Sequence, residues 1–176
     1  MLRRQLWLRA LIGGVLCFCS LLPAEPLKGA PGLTEAELKA VFLLRLSQFV
    51  SWPDPDAGST FCVDEASEVG GLLAQMIATD PKGREVRAMP SDAAAAGCDI
   101  VFSEIENQRL DSASLPVLRV SDQPGFAREG GMVELRRKGA RMELVVNLGA
   151  LNASGLKASS KLLRLSEVIG EDEDDA

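Results

Sequence analysis

Residues 98–104 read CDIVFSE, and the three consecutive apolar residues at their centre predict a short β-strand. A continuous apolar run is typical of a strand that is covered on both faces of its sheet. Similar runs stand on either side, TFCV at 60–63 and PVLRVSD at 116–122, and helical patterns alternate with them. Strands that alternate with helices favour parallel pairing. We therefore predict an α/β fold: a single compact domain with a mainly parallel sheet and helices on both faces.

Two helices are predicted in the N-terminal half of this domain. Thr34 and Glu37 have the spacing of a capping box, and apolar residues follow at helical spacing, so a helix is expected over about 34–51. A second helix is expected over 68–78, although two adjacent glycines weaken it. The other elements expected here are a strand over 84–89, a helical turn over 91–96 and a helical crossover over 107–112.

The C-terminal part of the domain is expected to form a hairpin and a helix. The strands MVELRR (132–137) and RMELVVNL (141–148) are joined by a tight connection, which favours an antiparallel hairpin. A final helix is expected over 152–169, with apolar residues on more than one face. One stripe could be buried while another meets a partner protein. The hypothesised partner-binding residues are Leu162, Leu165 and Val168.

The N-terminus differs in composition from the rest of the chain. Residues 1–24 hold three arginines and no acidic residue, and a 13-residue apolar run leads to Pro23 and Ala24. This order predicts a secretory signal peptide that is cleaved after Ala24. A retained anchor is the alternative, but a spanning helix needs roughly 20 apolar residues. The expected organisation is a signal peptide at 1–24, a flexible lead-in at 25–33, the domain at 34–170 and an acidic disordered tail at 171–176.

Charge and composition exclude several classes of function. Removal of residues 1–24 leaves 16 basic and 25 acidic residues, a net charge of −9, which is opposite to the basic excess of nucleic-acid-binding proteins. The chain has no histidine, so the usual general base, the commonest metal ligand and Ser-His catalysis are all excluded. We expect no catalytic residue, no metal and no cofactor, and a binding or regulatory role rather than an enzymatic one.

Export would leave two cysteines, Cys62 and Cys98, separated by 36 positions. In an oxidising compartment such a pair is a plausible disulfide, and the chain-entropy model gives a bridge of that loop size about 3–4 kcal/mol. Both cysteines stand at or near the start of predicted strands, where neighbouring strands could bring them together. Two buried free thiols are the alternative.

Several segments share their order and spacing with one known family. They are LKAVFLLRLSQFVSWP at 38–53, Cys62, CDIVF at 98–102, VLRVSD at 117–122, Phe126, Gly130-Gly131-Met132, VVN ending at Asn147 and GLKASSKLLRLSEV at 155–168. Over nearly the whole domain the chain resembles the YfiR-like family (YfiR and HmsC) of periplasmic regulators. One departure is the absence of tyrosine, because the family often has aromatic hydroxyls in the first helix, where this chain has Val41, Phe42 and Leu43.

The resemblance implies a periplasmic homodimer that binds the periplasmic part of an inner-membrane diguanylate cyclase and represses it. Repression would lower cyclic-di-GMP and biofilm formation, and an outer-membrane lipoprotein would relieve it. By position, Cys62 and Cys98 match the disulfide pair that the family widely shares. The second pair of the best-known member has no counterpart, because no other cysteine follows residue 24.

A second hypothesis comes from a different functional class. Family members also occur beside or fused to histidine kinases, so the chain could be a small-molecule sensor module coupled to a kinase or to an outer-membrane receptor. Its ligand would then bind in a cleft at the strand ends. An enzyme ranks below both hypotheses.

Overall fold

A computed structural model describes residues 32–78, 82–89, 96–104, 115–139 and 141–170. Contacts divide the chain into two units, Met1–Gly32 and Leu33–Ala176, and all the described elements belong to the second. The predicted signal peptide, most of the lead-in and the acidic tail lie outside the described residues. In the ranges that the structure covers, no helix has both the length and the apolar character to cross a bilayer.

The described residues form four helices and nine strands. The helices are α1 (Glu35–Phe49), α2 (Glu68–Ile77), α3 (Leu148–Ala153) and α4 (Ser160–Arg164). The strands are β1 (Val50–Ser51), β2 (Thr60–Asp64), β3 (Glu85–Met89), β4 (Ile100–Ser103), β5 (Leu118–Ser121), β6 (Val133–Lys138), β7 (Arg141–Asn147), β8 (Lys157–Ala158) and β9 (Glu167–Ile169).

Seven of these strands form one sheet in the order β3-β2-β4-β5-β6-β7-β9. All neighbouring pairs are parallel except β6 and β7, which form the predicted antiparallel hairpin. The predicted α/β class, the single domain and the mainly parallel sheet are therefore confirmed. The interior strand β4, third in this order, includes most of the CDIVFSE stretch and pairs Ile100 with Phe61 on one side and with Leu118 on the other.

Helix α1 begins with the predicted capping box. The Thr34 hydroxyl accepts a hydrogen bond from the Glu37 amide, and the Glu37 carboxylate accepts one from the Thr34 amide at 2.6 Å. The helix ends at Phe49, two residues before the predicted limit. Val50 takes an extended conformation there because it pairs with Ala158 in the two-stranded β1–β8 sheet.

Helix α2 lies close to strand β2 because a glycine faces the strand. A Cβ atom on Gly70 would lie 2.5 Å from Cγ2 of Val63, which is far inside van der Waals contact. Gly70 lowers the intrinsic helix propensity, as the sequence indicates, but it allows the close approach that buries Val69 and Leu73.

One apolar core holds the sheet and the described helices together. Alternate residues of the strands point into it, and each of the four helices contributes at least one buried side chain. The helices and β2 supply Ala40, Leu43, Leu46, Phe61, Val69, Leu73, Leu151 and Leu162. The opposite face carries a smaller buried cluster, and the helical segments predicted at 91–96 and 107–112 lie almost entirely outside the described residues.

The prediction of one helix over 152–169 is wrong. Helix α3 ends at Ala153, Gly155 follows with a φ of 74°, and the chain then forms β8, the five-residue helix α4 and β9. A positive φ favours glycine and breaks a right-handed helix. The segment 167–169 pairs in parallel with β7, so pairing at the sheet edge overrides the helical spacing of its apolar residues.

Candidate interaction groove and the polar cluster at the strand ends

An open apolar groove lies between helix α1, strand β7 and helix α4. Its volume is about 320 Å³. Its lining side chains are almost all apolar, and Arg45 is the one charged side chain among the described residues that line it. The lining residues are Val41, Phe42, Arg45, Leu46, Phe49, Met142, Leu144, Leu162 and Leu165. We call this feature the α1–α4 groove.

The three hypothesised partner-binding residues take different positions around the α1–α4 groove. Leu162 is 2% exposed and belongs to the main core, so it forms the floor of the groove rather than a free surface. Leu165 is 69% exposed and stands at the rim. Val168 lies half-buried in strand β9 and does not line the groove. The structure thus separates residues that the sequence pattern grouped on a single helix.

Local capping explains why Leu165 projects outward. The Ser159 hydroxyl caps the start of α4 by accepting a hydrogen bond from the Leu162 amide at 3.3 Å. The helix ends after one turn, and Leu165 is its C-cap, with an amide that donates to the carbonyls of Leu162 and Leu163. The Ser166 hydroxyl donates a second hydrogen bond to the Leu162 carbonyl at 2.8 Å. These hydrogen bonds fix the backbone of Leu165, while its side chain stays largely exposed to solvent.

Two basic residues, Arg45 and Lys161, lie at the α1–α4 groove. Lys161 places its Nζ 5.2 Å from the centre of the Phe49 ring, a cation–π distance, at the edge of the groove. Neither Lys161 nor Arg45 forms an ion pair with a carboxylate of the described residues.

Two arginines on the opposite face of the sheet are paired with glutamates. Arg136 donates to Glu134 at 3.1 Å and to Glu167 at 2.7 Å, and Arg128 donates to the other oxygen of Glu167 at 2.7 Å. The hydrogen bond from Arg136 lowers the pKa of Glu167, and the hydrogen bonds from Glu167 and Glu134 raise the pKa of Arg136. These two arginines are thus neutralised by carboxylates, in contrast to Arg45 and Lys161.

A second candidate region lies at the carboxyl ends of the parallel strands. The strand order reverses at β2, which lies between β3 and β4, and ligands of open α/β sheets bind beside such a reversal. Lys39 of helix α1 reaches this edge and places its Nζ 2.5 Å from Asp122 and 3.4 Å from Glu104. It is also 3.3 Å from Glu35, one helical turn earlier. We call these residues the strand-end cluster.

Burial lowers the pKa of Lys39, but its carboxylate partners raise it more. The hydrogen bonds to Asp122 and Glu35, with the charges of Asp122 and Glu104, leave the pKa above its usual value. The hydrogen bond from Lys39, with a further one from Arg137, lowers the pKa of Glu35. Lys39 is therefore a cation at neutral pH.

Short polar side chains complete the strand-end cluster. The Ser67 hydroxyl donates to Glu104 at 2.6 Å, and the buried Asp64 carboxylate accepts from the Glu104 amide at 3.1 Å. The Ser121 hydroxyl donates to the Ser103 carbonyl at 2.7 Å. Protein groups thus occupy the edge of the sheet where the sensor hypothesis expects a ligand cleft. In the ranges that the structure covers, no group of three or more acidic or cysteine side chains could hold a metal ion.

The disulfide lies on the opposite face of the sheet from the groove. Cys62 of β2 and Cys98, two residues before β4, are bridged with Sγ atoms 2.01 Å apart. Both are buried, and they pack with Met89, Val101 and Val117 in the smaller cluster. The structure therefore adopts the bridged alternative for this pair and not the two free thiols.

Sequence reasoning missed both Arg45 and Lys39. A sequence sign existed for Lys39, because it lies three and four residues from the core positions Ala36 and Leu43 of α1. A lysine on a core-facing stripe requires a buried acidic partner. No comparable sign marks Arg45, since an exposed arginine on a helix is ordinary until the groove beside it is known.

The fold and these sites define a class of small, disulfide-bridged α/β domains with an open apolar groove. A model of the YfiR/HmsC-like family matches residues 36–167. This match covers most of the chain, so the protein belongs to the YfiR/HmsC-like family. A search of the curated proteins gives no match.

Proposed function

We propose that this protein is an exported periplasmic regulator that binds an inner-membrane diguanylate cyclase and represses it. Its action would lower cyclic-di-GMP and biofilm formation. Family membership supports a regulatory role in diguanylate cyclase signalling. The observation that carries the binding role is the α1–α4 groove, where Leu165 is 69% exposed beside an unfilled apolar surface. A folded domain gains little from leaving such a surface in water unless another molecule covers it.

The regulatory role also agrees with the chemistry of the residues. Members of this family are regulatory rather than catalytic, and this chain has no histidine to act as a general base. The strand-end cluster joins its lysine to three carboxylates, so its strongest charges are already partnered within the protein. The proposed function therefore depends on a binding surface, the α1–α4 groove, and not on a catalytic residue.

The proposed location is the periplasm. The arginines and the apolar run of residues 1–24 support export, and an oxidising compartment favours the bridge between Cys62 and Cys98. The proposed partners are the periplasmic part of the cyclase, a second copy of this chain in a homodimer and an outer-membrane lipoprotein that relieves repression. The lipoprotein would act by withdrawing the regulator from the cyclase.

A capture experiment tests the proposal. The mature protein, tagged at its C-terminus, is incubated oxidised with detergent-solubilised membranes, and retained proteins are identified by mass spectrometry. We expect a protein with a GGDEF domain to be retained by the wild type and lost with Leu165→Asp. Leu33→Asp is the matched control, because Leu33 is 59% exposed and does not line the groove.

Two further measurements complete the test. Cellular cyclic-di-GMP should fall when the wild type or Leu33→Asp is expressed and should stay high with Leu165→Asp. Capture repeated after reduction of the disulfide shows whether the bridge controls binding. If folded, oxidised wild type retains no membrane cyclase, the repressor proposal is wrong and a small-molecule screen follows.

A further inference from the structure

The α1–α4 groove combines an apolar floor with a basic rim in a protein that is acidic as a whole. The full chain has a net charge of −6, yet the charged residue lining the groove is Arg45, and Lys161 stands at its edge. These two cations form no ion pair with the described acids. This arrangement is complementary to an apolar surface that carries carboxylates.

The same charges disfavour a second copy of the chain as the occupant. A dimer made by two α1–α4 grooves would be isologous, so each residue near its axis would face its own counterpart. Arg45 and Lys161 of the two copies would then be brought together, and neither has an acidic partner among the described residues. Like charges opposed across an interface cost affinity and select against that partner. A homodimer of this protein is therefore expected to use another surface.

The walls of the groove indicate the backbone form of the occupant. The lining consists of side chains from α1, from α4 and from the face of β7, so it offers apolar contacts rather than backbone hydrogen bonds. A segment buried there has to satisfy its own amides and carbonyls. A helix does so internally and presents apolar anchors at i, i+3, i+4 and i+7.

We propose that the α1–α4 groove receives an amphipathic helix of the partner protein, with apolar anchors against Leu162 and Leu165 and carboxylates facing Arg45 and Lys161. This inference rests on the proposed function, since it describes the part of the cyclase that the regulator would hold. Arg45 is a specificity-determining residue in this arrangement. Leu165 supplies an exposed apolar contact for the bound helix at the rim of the groove.

Two synthetic helical peptides test the inference on the mature, oxidised protein. Both have 18 residues and the same leucine face, and the polar face is glutamate in one and lysine in the other. Their affinities are measured by fluorescence anisotropy at about 0.05 M and about 0.15 M salt, because screening is stronger at the higher concentration. We expect the glutamate peptide to bind about tenfold more tightly at low salt, with a smaller preference at high salt. The net negative charge of the protein favours the opposite order, so this preference would be local.

Variants assign the preference to the groove. Arg45→Glu should lower the affinity for the glutamate peptide about tenfold and raise that for the lysine peptide. Leu165→Asp should weaken both, while Leu33→Asp changes neither. Circular dichroism of each variant confirms that the fold is kept. Equal affinity for the two peptides, a preference for lysine, absence of binding to the wild type or no effect of Arg45→Glu would each overturn the inference.

Two other outcomes distinguish this inference from the proposed function. If Leu165→Asp converts a dimer to a monomer in sedimentation analysis, a second copy fills the groove and the inference is wrong. If Leu165→Asp and Arg45→Glu both still capture the cyclase, the groove is wrongly assigned although the regulator proposal stands. If the wild type captures no cyclase but the peptides bind as expected, the groove has the inferred specificity and the proposed function fails.

Discussion

Lys39 and Arg45 stand six positions apart on helix α1, and their environments are opposite. The Lys39 side chain is 10% exposed and has three carboxylates within 3.4 Å, whereas Arg45 is exposed and has no acidic partner among the described residues. The strand-end cluster around Lys39 is closed in the sense that its lysine is paired within the protein, while one oxygen each of Asp64 and Asp122 is buried without a hydrogen-bond partner among the described residues. The α1–α4 groove around Arg45 is open and apolar. The difference indicates that the first region stabilises the fold and the second is available for recognition.

The largest expected effect comes from the disulfide. Like the Lys39 side chain it is buried, but it lies on the face of the sheet opposite the α1–α4 groove. Replacement of Cys62 and Cys98 by alanine should lower the free energy of unfolding by about 3–4 kcal/mol, because the bridge closes a loop with a sequence separation of 36. Urea unfolding measures this loss. The folded fraction should keep its affinity for the glutamate peptide, since neither cysteine lines the groove. A loss of affinity from folded protein would show that the two faces are coupled.

The next effect tests the strand-end cluster directly. Lys39→Met should cost about 3 kcal/mol, because Asp122 and Glu104 would lose their shared cation while still partly buried. Arg45→Met is the matched control on the same helix and should change stability by less than about 0.5 kcal/mol. Chemical denaturation of both variants makes the comparison. Similar costs for the two substitutions would contradict the division into a closed and an open region.

Leu162 of helix α4 and the C-cap residue Leu165 allow a similar comparison between a core position and an exposed position. Leu162→Ala should lower stability by about 2–3 kcal/mol, since it removes a side chain that is 2% exposed from the main core. Leu165→Ala should cost less than about 0.5 kcal/mol and should instead weaken peptide binding. Thermal or urea unfolding and the anisotropy titration separate these outcomes. If Leu165→Ala destabilises as much as Leu162→Ala, Leu165 belongs to the core and not to a recognition surface.

The sequence patterns predicted the central sheet well because buried strands leave strong local signs. The apolar runs at 60–63, 98–104 and 116–122 predict strands, and the tight connection at 138–140 predicts the hairpin. The prediction of one helix in the C-terminal segment is wrong because the apolar residues have helical spacing, whereas Gly155 interrupts the helix and residues 167–169 pair with β7. The spacing of apolar residues along a segment does not show whether that segment pairs with a distant strand.

The sites follow the same rule. The cysteine pair could be predicted because two cysteines in an exported chain have few alternatives. The α1–α4 groove could not, because Arg45, Met142 and Leu165 come from three separate elements and meet through tertiary packing. The sequence pattern places the partner-binding residues on one helix over 152–169, whereas the structure has two short helices and two strands in this region. Of the three hypothesised residues, Leu165 alone is well exposed at the rim, and the sequence pattern did not separate it from buried Leu162.

The smallest expected effect concerns pH and the exposed end of the strand-end cluster. The pKa of Glu35 is lowered in the folded protein by the hydrogen bond from Lys39, so its ionised form is favoured there over the unfolded chain. A carboxyl whose pKa is lowered on folding contributes stability above its unfolded pKa and loses it as the pH falls through the folded pKa. The free energy of unfolding should therefore decline below about pH 4.5, the unperturbed value. Glu35→Gln should make that decline shallower and cost less than about 1 kcal/mol at neutral pH, because Glu35 is well exposed.

Glu37→Gln serves as the control for this acid titration, because Glu37 lies on the same helical turn but pairs with a backbone amide and not with Lys39. Urea unfolding at intervals between about pH 3 and pH 6 compares the two variants with the wild type. The slope for Glu35→Gln should be the shallower of the two. Equal slopes would mean that the exposed carboxylate adds nothing to the cluster. Lys39 would then be held by Asp122 and Glu104 alone, and the closed region would end at the edge of the sheet.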